Sequence, residues 1–306
     1  LNKIISGDYM KGIPIGMISQ FHGEASTAKT VFATHILKEA QSKGYYSMLV
    51  DSENAYNPTF AKQLGVDPER LIYSTAETLE DSFQVMEDTI LSIREADPNT
   101  PIVIAYDSIA VSPSKAEYEA ESYDGNNMQG AIRAKSTGAC LRKINPLMRK
   151  HKVALIVINQ IRSKVGVMYG NPETMAAGGK SLDYYLGVNL KCISNKTADL
   201  VRDDNKQVIG ITGTVRNTKN KVSIPFRECE FELMYDEGLN ACAGMLKQLV
   251  LDNVVEQSGA WYSWNGVKFQ RKEFDNSFSS GEKFTGLREA VGVKTQPAEN
   301  KELTAK

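Results

Sequence analysis

Four short apolar runs in this chain each end in a polar group, and no other feature restricts its fold as much. Gly16 to His22 leads into Gly23-Glu24-Ala25-Ser26-Thr27-Ala28-Lys29-Thr30. Tyr45 to Val50 ends in Asp51-Ser52-Glu53, Pro101 to Tyr106 in Asp107-Ser108, and Val153 to Ile158 in Asn159-Gln160. Apolar runs of this length read as strands buried in a sheet. The segments between them have helical spacing. Asn57-Pro58 opens a short helix, and Leu79, Phe83, Met86, Ile90 and Ile93 share one face of a helix over 79–94. Leu71 to Ser74 is a further strand. Strands alternating with helices predict an α/β fold with a central, mostly parallel sheet flanked by helices. Ligands bind such a sheet outside the carboxyl ends of its strands, so the four polar groups converge on one crevice. The alternative for Glu53 and Asp107 is that they are ordinary helix-capping acids.

The first run has the layout of a phosphate-binding loop: strand, small-residue loop, Lys-Thr, then a helix from about 31 to 41. Backbone N–H groups from Gly23, Glu24, Ala25, Ser26, Thr27, Ala28 and on to Val31 would wrap the phosphates of ATP, with the helix dipole adding to the attraction. Lys29 would reach the β- and γ-phosphates, and the Thr30 hydroxyl would sit on Mg²⁺. Asp107 is the second signature of such a site, an acid that holds Mg²⁺ through water. Ala28 stands where the usual pattern has Gly. A methyl group there costs about 1 kcal/mol if the loop needs positive φ.

Net charge is −1, which excludes a generally basic nucleic-acid binder and requires any positive surface to be local. Two stretches supply one. Met128 to Lys150 reads as a helix with Arg133, Lys135, Arg142, Lys143, Arg149 and Lys150 against no acid. Lys135 and Arg142 share a face and, with Arg133, would contact phosphates; the alternative is a solvated helix face. The other stretch follows Gln160: Arg162 and Lys164, then a loop rich in Gly, Pro and small residues containing Val165, Gly166 and Met168. An amide leading into a basic loop can sense a phosphate on one side and hold a nucleic-acid backbone on the other. Ser112 to Asn127 reads as a surface loop. Lys219 and Lys221 share one face if extended, or else form a solvated hairpin tip.

Other classes are set aside by composition. Apolar content of 42% and charged content of 24% are ordinary globular values. Cys140, Cys192, Cys229 and Cys242 form no CxxC pair and are expected to be reduced thiols of a cytosolic protein. Three histidines form no ligand cluster, against a zinc site. No stretch reads as a signal peptide or a membrane span. From near 237 the texture changes to a short helix, Met245 to Leu251, and an aromatic hairpin, Gly259 to Val267. The expected organisation is a core over 1–236, a small carboxyl-terminal α/β domain over 237–290 and a polar, disordered tail over 291–306.

With these residues in hand, the chain resembles the RecA family of homologous recombinases from Ile18 to about Val267. The most specific passages are Asp51 to Asp67, Asn159 to Thr174, Ala177-Gly178-Gly179, Lys219-Asn220-Lys221, Pro225-Phe226 and Gly259 to Ser263. The phosphate loop and Arg133-Ala134-Lys135 are more similar to RecA-like proteins of tailed phages. The resemblance implies a RecA-like P-loop ATPase core and a DNA-dependent ATPase that forms helical filaments on single-stranded DNA and pairs it with homologous double-stranded DNA in recombination and repair. It implies that Glu53 activates the attacking water, that Asn57 and Phe60 border the adenine, and that Asp107 holds Mg²⁺. Gln160 would sense the γ-phosphate and order the second DNA-binding loop, about 161–177; the first would be about 117–128. Lys219 and Lys221 would reach a neighbouring subunit's nucleotide, and Tyr184 would lie at the subunit interface. Mediator or single-strand-binding proteins are further expected partners, and the cytoplasm of a bacterial or phage-infected cell the expected location. The family's amino-terminal polymerising helix and strand are expected to be either absent or cut short before Leu1, and without them the chain as given is expected to assemble poorly. Ala28 bears on the hydrolysis rate more than on nucleotide binding. The alternatives are a hexameric helicase-type motor with a RecA core and a nucleotide-switched DNA-binding protein with little turnover.

Overall fold

The apolar runs are strands, and the polar groups at their ends line up. A computed structural model describes residues 1–120, 127–163, 173–175, 179–194, 199–278 and 281–292. After a short helix α1 (Asn2–Ser6), the first half of the chain alternates strands with helices, two of them between β4 and β5. It runs β1 (Ile18–Gly23), α2 (Lys29–Ser42), β2 (Tyr46–Asp51), α3 (Pro58–Gln63), β3 (Leu71–Ser74), α4 (Leu79–Ala96), β4 (Ile102–Asp107), α5 (Lys115–Tyr118), α6 (Asn127–Lys150) and β5 (Val153–Ser163). Then come β6 (Glu173–Met175), α7 (Gly179–Tyr185), β7 (Leu186–Ile193), β8 (Leu200–Arg202), β9 (Val208–Asn220), β10 (Glu228–Met234) and β11 (Gly238–Leu239).

The parallel part of the sheet has the order β3-β2-β4-β5-β1-β7, and β9, β10 and β11 continue it in antiparallel fashion. β1 and β4 are buried at every position, as continuous apolar runs require when helices cover both faces. One face packs under α2, through Phe32, Ala33, Leu37 and Ala40 against Phe21, Ala105 and Ile156. The other packs under α4 and α6, through Phe83, Met86, Ile90, Leu141 and Met148 against Ile18, Met48 and Leu155. Each such side chain contributes about 1.5–3 kcal/mol of burial. The register then places Gly23 beside Gln160 and Asp51 beside Asp107.

Two expectations from the sequence are revised. The stretch 112–127 is not all loop: it contains α5, fixed by a capping box in which Glu117 Oε2 accepts from Ser114 N at 2.6 Å and from Ser114 Oγ at 2.8 Å. Residues 121–126 lie outside the described residues. The expected loop after Gln160 starts as a two-stranded ribbon, because β5 continues to Ser163 and pairs with β6, Ile161 opposite Met175 and Ser163 opposite Glu173. Residues 164–172 and 176–178 are outside the described residues.

After β11 the chain forms α8 (Ala241–Leu251), a three-stranded sheet of β12 (Glu256–Ser258), β13 (Trp261–Trp264) and β14 (Val267–Gln270), then α9 (Arg271–Ser277) and α10 (Thr285–Ala290). The aromatic hairpin turns at Asn265-Gly266, both at positive φ (47° and 80°), the pairing that a two-residue hairpin turn requires. A separate apolar cluster, including Leu249, Phe269, Phe274, Phe278, Phe284 and Leu287, fills this part. Residues 293–306 lie outside the described residues. All four cysteines are free thiols, and among the described residues no helix is long and apolar enough to cross a membrane.

Candidate functional site

The loop between β1 and α2 is shaped by close approach. A Cβ on Gly23 would stand 2.4 Å from the Cys192 carbonyl oxygen, so only glycine fits there. Ser26 and Ala28 adopt left-handed φ of 63° and 66°. The strain at Ala28 is about 1 kcal/mol. Its methyl group is buried in the cluster beneath α2, which returns about 0.8 kcal/mol and explains why an alanine is tolerated. α2 begins at Lys29, so the loop's last residue is also the helix N-cap. Lys29 is 7% exposed, and its Nζ donates to Glu24 O at 2.5 Å, as does Thr27 Oγ1 at 2.9 Å. The loop thus closes around the ammonium group.

Beside it, Thr30 Oγ1 donates to Asp107 Oδ2 at 2.7 Å. The other carboxylate oxygen, Oδ1, is buried without a hydrogen-bond partner among the described residues. Burial, more than any other influence, raises the Asp107 pKa to about 6; Thr30 and Lys29 oppose the shift and Glu53 and Asp51 add to it. A hydroxyl at a helix N-terminus and a carboxylate with one unused oxygen fit Mg²⁺, which takes one or two protein oxygens and completes its shell with phosphate and water.

Glu53 forms the third wall. Its Oε1 accepts from Ser108 Oγ at 2.7 Å and from Gln160 Nε2 at 3.3 Å. Its backbone N–H is held by Asp51 Oδ1, while Asp51 Oδ2 accepts from Tyr56 N and Tyr73 Oη at 2.9 and 3.2 Å. Neither Glu53 nor Asp107 caps a helix among the described residues, so that alternative is set aside. Asn57 does cap one: Oδ1 accepts from the N–H groups of Thr59 and Phe60, which fixes half-buried Phe60 on the first turn of α3. Sequence reasoning missed Ser108 and Asp51. Both sat in the quoted strand ends, but only register and side-chain direction reveal what they hold.

The cationic candidates divide. Lys135 and Arg142 are exposed on α6. Arg133 is turned inward, its Nη2 donating to Ile109 O at 2.9 Å and Ala110 O at 2.5 Å, just beyond Asp107-Ser108. Met128 lies in α6 and Arg162 in the β5–β6 ribbon. Their side chains, and all of Lys164, Val165, Gly166 and Met168, are outside the described residues. Lys219 is half-buried at the end of β9, and Lys221 follows it, exposed, in the bend toward β10. Their ammonium groups donate to the carbonyls of Asp183 and Tyr184 in the last turn of α7, the second at 3.2 Å. Burial, then the neighbouring Lys221, lowers the Lys219 pKa. β7 separates their strand from β1, which places them away from this chain's own phosphate loop. Tyr184, on the same turn of α7, is 76% exposed.

The family model of the RecA N-terminal domain matches residues 6–240. Protein RecA of Clostridium acetobutylicum is 35% identical over 257 residues, covering 84% of this chain and 70% of that protein. The Rhodospirillum rubrum protein is 36% identical over 257 residues, covering 84% and 66%. That of Lactobacillus delbrueckii subsp. bulgaricus is 34% identical over 298 residues, covering 95% and 77%. The chain belongs to the RecA family of DNA recombinases.

Proposed function

We propose that this RecA-family chain, a DNA-dependent ATPase of recombination and repair, couples its triphosphate pocket to single-stranded DNA through the contact between Gln160 and Glu53. That contact is the observation that carries the reading. The amide placed to sense a γ-phosphate and the carboxylate placed to orient the attacking water already touch. The same amide stands in the strand that runs on into the ribbon carrying Arg162.

Lys29 and the N–H groups of the loop from Gly23 to Val31 cradle the phosphates, and Asn57 and Phe60 border the base. Thr30 and Asp107 would hold Mg²⁺, which when bound would neutralise charge on the β- and γ-phosphates. Glu53, aligned by Ser108, takes a proton from the water that attacks the γ-phosphorus. When Gln160 turns to the γ-phosphate it releases Glu53 Oε1 for that water and draws β5 with it. Arg162 and Lys164 then grip the DNA backbone, with Val165, Gly166 and Met168 lying against bases. Lys135 and Arg142, exposed on α6, extend the phosphate track, while Arg133 braces the segment after Ser108. Affinity is therefore salt-sensitive and largely independent of sequence, and base pairing selects the homologous duplex. Lys219, Lys221 and Tyr184 face the next subunit of a helical filament, where the lysines supply positive charge to its transferring phosphoryl group. Mediator or single-strand-binding proteins would act on that filament, in the cytoplasm.

Phosphate release with and without single-stranded DNA tests this. DNA should stimulate the rate, and Gln160→Ala should leave DNA affinity unresponsive to ATP. Equal rates with and without DNA, or an undiminished ATP response in the variant, would refute the coupling.

A further inference from the structure

A row of side-chain amides crosses the sheet next to Gln160. Asn159 Oδ1 accepts from the Gln160 backbone N–H at 2.9 Å, and Asn159 Nδ2 donates to Gln20 Oε1 at 3.1 Å. Gln20 Nε2 in turn donates to Asn189 Oδ1 at 2.9 Å. The three residues sit on β5, β1 and β7, three adjacent strands, and are 0%, 0% and 7% exposed. Each bond fixes the orientation of the next amide, so the row has a single sense from end to end.

The row points at the lysines. In register, Gln20 lies opposite Asn189 and Asn189 opposite Lys219, so their side chains leave the same face of the sheet. The Asn189 carbonyl also accepts from Thr218 Oγ1 at 3.2 Å, and the β7–β9 ladder shifts register just after Asn189. Lys219 continues on that face to the Asp183 carbonyl of α7. The central strands of a parallel sheet are normally filled with aliphatic side chains, and buried amides there are costly unless every bond is made. Nothing in the pocket chemistry uses Gln20 or Asn189: neither touches the phosphate loop, Glu53 or Asp107 in any described contact.

We infer that Gln20 and Asn189 are positioning residues: with Asn159 they tie the γ-phosphate sensor of a subunit to the strand whose lysines that subunit offers its neighbour. This rests on the nucleotide-site reading above. A shift of β5 at Gln160 is passed as a displacement of hydrogen-bonded amides across β1 and β7 to β9. Aliphatic contacts are non-directional and would carry no donor–acceptor sense from one strand to the next.

The test is hydrogen exchange on the full chain, with and without a non-hydrolysable ATP analogue and Mg²⁺, read at the peptide spanning residues 215–222. The parent chain should show at least about a threefold nucleotide-dependent change in exchange there. Gln20→Met, of similar length but without the amide, should abolish that change while leaving the nucleotide affinity within about threefold. Gln20→Glu should retain it, because the Asn189 amide can turn over and donate to the new carboxylate. Met and Glu both perturb a buried site, so a merely structural role would lower the melting temperature of both without separating them in this readout. An unchanged response in Gln20→Met would overturn the relay, as would its loss in both variants. A parent chain that binds no analogue would sink the nucleotide-site reading and the relay with it; a parent chain that binds but shows no change at 215–222 would sink the relay alone.

Discussion

The two sets of cationic and sensing groups on this chain are built differently. Around the phosphate loop, Lys29, Thr30, Glu53, Asp107, Ser108 and Gln160 are bonded to one another or to the loop itself, and Lys29 and Asp107 are more than nine-tenths buried. At the end of β9 and just beyond it, Lys219 and Lys221 instead rest on main-chain carbonyls of α7, next to the exposed ring of Tyr184. The first set is organised for its ligand within one chain. The second is docked on neutral acceptors that a phosphate oxygen would outcompete, since bonds between charged partners are roughly twice as strong. The difference fits the proposal that a subunit carries most of one pocket and a small, detachable part of another.

Breaking the first set should have the largest effect. Lys29→Ala removes the ammonium group that the loop encloses, and should lower DNA-stimulated phosphate release by more than about 10³-fold and remove nucleotide binding as well. Lys219→Ala should differ in kind: release falls by about 10²–10³-fold while nucleotide affinity of the dispersed chain stays within about threefold, because the lysine serves a neighbour's pocket. Loss of nucleotide affinity in that variant would contradict the division.

Asp107 sharpens the same comparison through pH. Its folded pKa is raised to about 6 from 3.8, so the folded chain favours the protonated form. Its contribution to stability is full below about pH 4 and is lost as pH rises through 6. Asp107→Asn should therefore stabilise the chain at pH 7 by on the order of 2 kcal/mol and make no difference at pH 4, a pattern that thermal melts at the two pH values would check. Function has the opposite sign. Protonation would remove the charge proposed to hold the cation, so Mg²⁺ affinity should fall about tenfold between pH 7 and pH 5 in titration calorimetry.

On the nucleic-acid face, Lys135→Ala and Arg142→Ala should each reduce the salt slope of single-strand binding by about 1, in fluorescence titrations across a range of salt. Ala28→Gly is the smallest change. Relief of left-handed strain and loss of a buried methyl nearly cancel, so stability should move by less than about 0.5 kcal/mol. A larger destabilisation would mean that the methyl packs better than its burial suggests.

The strand ends were legible because three physical rules coincide there: apolar runs for strands, a polar stop, and a parallel sheet that gathers those stops at one edge. Sequence placed Gly23 to Thr30, Glu53, Asp107 and Gln160 together for that reason, and the structure joins them by direct bonds. The capping box at Ser114 was visible as Ser-x-x-Glu but was masked by the polar texture of its neighbours. Arg133 was read by charge alone. Charge does not say which way a guanidinium points, and this one turns to the carbonyls after Ser108. The amides Gln20 and Asn189 gave no signal, since a single polar residue in an apolar run has meaning only once register sets its partner. The small sheet beyond Leu239 was seen as a hairpin; its third strand and the helices packed on it carry short, weakly periodic patterns.

The central claim is that one pocket is completed by two subunits, and mixing two inactive variants tests it most directly. Glu53→Gln keeps Lys219 but cannot take the water's proton; Lys219→Ala keeps Glu53. Combined in equal amounts on single-stranded DNA, random head-to-tail assembly re-forms an intact pocket at about a quarter of the interfaces. Phosphate release recovering to about a quarter of the parent rate is the predicted result, and a mixture as inactive as either variant alone would contradict the account.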